Sequence, residues 1–217
     1  RVCTFRQRGS VAAVIRVIMF GLPDYQDLNI PQSVMDIASV QKGLVLFTGP
    51  AGSGKTTTLA CIIDKINSER NNHIITLEDP IEYLHSNKKS IISQLEIHTD
   101  TAGYLPALRA SLRQSPDVVL LGEMRDYETV QTAITASETG HLIISTLHTS
   151  NAANTIDRII DVFPASQQPQ IRFQLSMVLK AVVSQQLVPL IQGGNIPAFE
   201  IMYANSAIQN MIRESKT

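Results

Sequence analysis

Six mostly apolar residues, GLVLFT at 43–48, run into GPAGSGKTTT, and TTLACIIDKI follows with the spacing of a helix. This order of strand, glycine-rich turn and helix allows few folds. It fits G-x-x-x-x-G-K-[ST] with Gly49, Gly54, Lys55 and Thr56, in the context that motif requires. Glycines at 49, 52 and 54 permit a tight turn whose N–H groups point inward at phosphate oxygens, at the positive end of the helix. Lys55 supplies a mobile cation for the β- and γ-phosphates, and the Thr56 hydroxyl is placed to ligate Mg²⁺. The expected nucleotide-binding set is Gly49, Pro50, Ala51, Gly52, Ser53, Gly54, Lys55, Thr56 and Thr57, with ATP and Mg²⁺ as the bound groups. The bland alternative, a glycine-rich turn that carries a lysine by chance, must explain both motif and context.

Apolar runs and helical stretches alternate beyond this point. HIITLE, SIISQLEI, DVVLLGE and HLIISTLH read as strands; helices are expected to about Ser68, over about 101–114, over 126–138 and from about 151. Several runs are continuously apolar, as strands covered on both faces are. The expected fold is α/β, a P-loop NTPase core with a mostly parallel central sheet. Before it, residues 1–20 alternate like strands, and GLPDYQDLNIP, with Pro23 and Pro31, is turn-rich. We expect residues 1–20 to be the tail of a preceding domain, 21–33 a linker and 34–217 the ATPase domain, its C-terminal end truncated.

With 217 residues and 44% hydrophobic content, the chain can bury a sizeable core. Its 18 basic residues against 19 acidic give no global field that favours nucleic acid, so no nucleic-acid partner is expected. Cys3 and Cys61 form no CxxC pair and read as reduced cytosolic thiols. VAAVIRVIMF is too short to span a bilayer, is interrupted by Arg16, and lacks a signal-peptide cleavage pattern.

In an open parallel sheet, ligands collect at the carboxyl ends of the strands. LEDPIE puts Glu78, Asp79 and Glu82 after one strand, where a carboxylate could act as general base toward the attacking water. Turn chemistry at Asp79–Pro80 and a solvated Glu82 explain the same residues equally well. VVLLGEMRD delivers Glu123 to the end of another strand, with Gly122 where a Walker B aspartate usually stands. Asp117 cannot replace it, because five strand residues would hold it roughly 16 Å away. Glu123 is therefore expected to hold the Mg²⁺ shell alone, through water. His141 opens and His148 follows the strand in GHLIISTLHT, so they are poor candidates for one metal site. His148 can sense the γ-phosphate, or simply cap a strand end; for His141 the capping role is favoured.

GPAGSGKTTT, ITLEDPIEYLH, LRQSPDVVLLGEMRD and GHLIISTLHT, in this order and spacing, closely resemble the Walker A, Asp box, Walker B and His box of the secretion ATPase superfamily, which powers type II and type IV secretion and type IV pili. LVPLIQGGNIPAFEIMYAN followed by AIQNMIRE resembles the twitching-motility retraction ATPases, the PilT family. The resemblance implies Glu82 as general base, Glu123 near Mg²⁺, and His141 and His148 as the His box. It also accounts for Gly122, since GE stands for DE in the family. It implies that arginines of a PAS-like N-terminal domain approach the nucleotide; Arg1, Arg8 and Arg16 are the counterparts, Arg16 being taken as catalytic with Glu82, Glu123 and His148. The implied assembly is a homohexameric ring in the cytoplasm, associated peripherally with the inner membrane through a pilus or secretion platform protein.

Assembly-type relatives commonly carry a four-cysteine zinc motif, which two cysteines cannot supply, so retraction is favoured over extension. AIQNMIRE departs from the family's usual sequence, Gln209 and Met211 included, which keeps a divergent pilus or type II secretion role open. A nucleic-acid translocase and a low-turnover nucleotide-binding scaffold are the readings from other classes.

Overall fold

The computed structural model describes residues 2–15 and 21–216. Arg1 and Arg16, expected near the nucleotide, lie outside them. Thirteen of the fourteen described residues over 2–15 are exposed: β1 (Val2–Gln7) and β2 (Ser10–Ile15) form a two-stranded antiparallel sheet of their own, with Ala12 half-buried. Arg8 and Gly9, at φ 48° and 78°, make its two-residue turn, the conformation that matches the twist of a hairpin.

The remainder is built on one seven-stranded sheet. Its strands are β3 (Gly43–Thr48), β4 (His73–Glu78), β5 (Ile91–Glu96), β6 (Val118–Leu121), β7 (Leu142–Leu147), β8 (Leu179–Pro189) and β9 (Asn195–Tyr203), in the spatial order β5-β4-β6-β7-β3-β8-β9. Every pairing is parallel except the β8–β9 hairpin, so the mostly parallel sheet is as expected. Helices α1 (Gln32–Met35), α2 (Lys55–Glu69), α3 (Tyr104–Ser111), α4 (Tyr127–Glu138), α5 (Ala152–Asp161), α6 (Gln168–Val178) and α7 (Ser206–Arg213) complete the layers.

The continuous apolarity of the strands follows from cover on both faces. Along β3, Leu44 and Leu46 enter the core with α3 to α7, whereas Val45 and Phe47 enter the one with α1 and α2. Phe47 is fully buried, a contribution of about 2–3 kcal/mol. Leu22, Tyr25 and Leu28 pack against that second core and Ile30 is buried in it, so the stretch expected as a linker lies against α2. Cys61 is buried there with its Sγ 3.6 Å from the Pro23 carbonyl, and burial pushes its thiol up to about 11. Both cysteines are free. Among the described residues, no helix is long and apolar enough to cross a membrane.

The expected helix over 101–114 is α3 from Tyr104, tightening into a 3-10 turn at Leu112–Gln114. The carboxyl ends of β3, β4, β6 and β7 all open on the same edge of the sheet, and each carries one of the motifs singled out above.

Candidate nucleotide site

Gly49, immediately after β3, takes φ +140°, and a Cβ there would lie 2.2 Å from the Gln185 carbonyl oxygen of β8. Gly54 takes φ +86°, and its added Cβ would meet the Gln185 amide at 2.9 Å. The β8 backbone thus leaves no room for a side chain at Gly49, while at Gly54 the positive φ and the Gln185 amide both favour glycine. Lys55 opens α2 and is 8% exposed. Its Nζ donates to the Gly49 carbonyl at 2.8 Å and the Pro50 carbonyl at 2.9 Å, with Ser53 Oγ at 3.4 Å. Burial lowers its pKa below the ordinary lysine value. Residues 51–57 line a cleft of about 730 Å³ at this edge of the sheet. Gly49 and Pro50 instead stand behind it, as acceptors for Lys55.

The other motifs converge on the same cleft. Glu78, Asp79 and Glu82 line it after β4, as do Gly122 and Glu123 after β6, and Thr146 and His148 at the end of β7. Glu78 is 9% exposed and accepts from Thr76 Oγ1 at 2.7 Å. Burial, the dominant influence, raises its pKa above the usual carboxylate value. The Asp79–Pro80 peptide is cis. Glu123 is one-fifth exposed; its Oε2 lies 2.8 Å from Arg125 Nε and 3.9 Å from His148 Nε2. The Arg125 guanidinium and the His148 ring therefore both face the carboxylate that the sequence assigned to the metal.

Gly122 has a steric explanation. Its N–H donates to the Leu77 carbonyl at 2.8 Å and its carbonyl accepts from Thr146 Oγ1. An added Cβ would sit 2.7 Å from Tyr104 Oη and 3.0 Å from the Leu77 oxygen. An aspartate at this position has no room. Asp117 is at the opposite edge, where its Oδ2 accepts from the His73 N–H at 2.7 Å. His141 also sits at that edge; its Nδ1 lies 3.0 Å from the Ala136 carbonyl and 3.2 Å from Thr139 Oγ1, a strand-end cap. Arg8 is in the hairpin turn and is not among the residues lining the cleft.

Sequence reasoning missed Tyr83, His85, Tyr104 and Leu187, which also line the cleft. Tyr83 was within reach, since it follows Glu82 directly; its hydroxyl shares a 3.0 Å hydrogen bond with Thr57 Oγ1. Burial, again the largest cause, raises the Tyr104 phenol well above its ordinary value. It also lowers His85.

The family model described as "Type II/IV secretion system protein" matches residues 5–212. The chain belongs to this secretion ATPase family. Within it, the chain is 48% identical over 216 residues to the type IV pilus retraction ATPase PilT of Pseudomonas aeruginosa, covering 100% of this chain and 63% of that protein. It is 48% identical over 217 residues to a twitching motility protein of Neisseria gonorrhoeae, covering 100% of this chain and 58% of that one. A crystal structure of the pilus retraction motor PilT with bound ADP superposes with a TM-score of 0.96 at 51% identity, covering 99% of this chain and 63% of the motor. The secretion ATPase fold is thus shared along nearly the whole chain, while the chain spans less than two thirds of the length of these relatives.

Proposed function

We propose that this chain is the motor part of an ATPase that hydrolyses Mg²⁺-ATP to retract a type IV pilus. The observation that carries the reading is the convergence of the phosphate loop, Glu82, Glu123 and His148 on one cleft of about 730 Å³. The likeness to retraction motors over the full chain supports the biological role.

The loop N–H groups and the start of α2 bind the β- and γ-phosphates, and the Lys55 ammonium exchanges its loop carbonyls for phosphate oxygens. Glu82 orients the attacking water and takes its proton. His148 contacts the γ-phosphate and reports its presence. A divalent cation fits here: the Thr56 hydroxyl and Glu123 carboxylate are oxygen donors on the cleft, few enough to suit an ion that keeps most of its waters. When bound, Mg²⁺ neutralises charge shared between the β- and γ-phosphates. Thr56 would hold it directly and Glu123 through water, with Arg125 moving off the Glu123 carboxylate.

Residues 1–20 are read as the tail of an N-terminal PAS-like domain, 21–33 as the connection and 34–217 as the ATPase domain. Arg16, or else Arg1 or Arg8, completes the site when that domain closes on it or on a neighbour in a homohexameric ring. The ring acts in the cytoplasm on an inner-membrane platform protein. The test is phosphate release by the full-length protein with and without nucleic acid, together with pilus retraction in a deletion strain complemented by parent or Lys55→Ala. Retraction restored by the parent alone, with ATP turnover indifferent to nucleic acid, is expected. Retraction that persists in the deletion strain overturns the role.

A further inference from the structure

The loop that carries Glu82 is braced by side chains to which the chemistry above gives no part. Residues 79–90 form neither helix nor strand, so their backbone groups must find partners elsewhere. Gln94, on the edge strand β5, uses both ends of its amide. Nε2 donates to the Tyr83 carbonyl at 2.9 Å, and Oε1 accepts from the His85 N–H at 2.8 Å. Two residues further along the same strand face, Glu96 Oε2 accepts from the Ile81 N–H at 3.1 Å. The backbone is therefore gripped from β5 on both sides of Glu82.

The grip extends to the phosphate loop. Gln94 Nε2 also lies 3.3 Å from Glu78 Oε1, the carboxylate that ends β4. Tyr83, whose carbonyl Gln94 holds, meets Thr57 through its hydroxyl at 3.0 Å. A continuous set of hydrogen bonds thus runs from β5 through Tyr83 to the first turn of α2. Only a side chain with a donor and an acceptor on one rigid plane can serve Tyr83 and His85 together.

We propose that Gln94 is a positioning residue for hydrolysis, fixing the loop so that the Glu82 carboxylate stands in register with the phosphate loop. The proposal rests on the reading of Glu82 as general base. Gln94 does not line the cleft, so its effect belongs in turnover and not in nucleotide affinity. A displacement of about 1 Å in a reacting group costs on the order of 100-fold in rate.

The test compares Gln94→Met, which keeps the volume and loses both bonds, with Glu82→Gln and with the double variant, all in the full-length protein. Gln94→Met is expected to lower kcat by ~10–100-fold while the Kd of a fluorescent ADP analogue changes by less than ~3-fold. In the Glu82→Gln background the same substitution should lower kcat by less than ~3-fold, because no base remains to be misplaced. Parental kcat in Gln94→Met, or losses that multiply in the double variant, overturn the proposal and leave Glu82 as base. Parental kcat in Glu82→Gln defeats the general-base reading itself, and the proposal with it. If Gln94→Met does not fold, Gln94→Glu keeps the acceptor for His85 and replaces the donor to Tyr83 with a carboxylate; the same loss and the same non-additivity are expected.

Discussion

Two loops meet at the nucleotide cleft, and they are held by opposite means. The phosphate loop is largely self-contained: Lys55 bonds carbonyls of its own loop, Ser53 N–H donates to the Pro50 carbonyl, and the glycines supply the backbone angles. The 79–90 loop is held by side chains of neighbouring elements. Asn67 of α2 donates to the Ser86 carbonyl and accepts from the Lys88 N–H, while Gln94 and Glu96 hold it from β5. A phosphate cradle must present a fixed ring of N–H groups, and short-range backbone geometry achieves that. A carboxylate that must meet a water above another element needs to be aimed from several sides.

Predictions that separate the two follow this contrast. The largest effect is expected from Glu82→Gln, which should retain ATP and lose ~10²–10⁴-fold in turnover. Calorimetric ATP binding beside steady-state phosphate release checks it, and unchanged turnover would remove Glu82 from the chemistry. Next is a pair within the phosphate loop. Gly52→Ala pays only for its positive φ, about 1–2 kcal/mol, since nothing lies within 4 Å of the added Cβ. Gly49→Ala must also displace the Gln185 carbonyl, 2.2 Å from its Cβ, and should cost more in urea unfolding. Equal costs would mean that β8 yields freely and the cradle is less fixed than drawn. The last effect belongs to the other loop and is local. Asn67→Ala leaves the Ser86 carbonyl and Lys88 N–H without their partner, a loss of about 1–3 kcal/mol. Hydrogen exchange should quicken over 86–90 and stay unchanged over 49–54; quickening in both would merge the two loops into one unit.

The same contrast explains what could be read in the residues. Strand β3, the cradle and α2 announce themselves because apolarity, glycine spacing and lysine fall within one short window. The strands that deliver Glu78, Glu123 and His148 were legible for a related reason: burial on both faces leaves unbroken apolar runs. Gln94 and Asn67 gave no signal, since a lone amide in a strand or helix looks the same whether it faces water or braces a loop. Strands β8 and β9 were not assigned, because α6 passes into β8 at Val178–Leu179 without a glycine or proline to mark the change. Gly122 was legible only as a departure; its cause is Tyr104, the first residue of α3, together with the Leu77 carbonyl.

The strand order has a consequence for how the molecule comes into being. The partners of β3 are β7 and β8, residues 142–147 and 179–184, whereas β4 pairs with β5 and β6. During synthesis, GLVLFT has no sheet neighbour until about a hundred residues have followed it, at ordinary elongation rates of ~5–20 residues per second. Pairings of such long sequence separation form slowly. The strand that ends in the phosphate loop thus spends seconds as an apolar segment with both edges open, the condition under which chains pair wrongly with one another. The strand that leads into the phosphate loop can be completed only after β7 and β8 have followed, and the nascent chain is exposed to aggregation at a segment that its finished form buries fully.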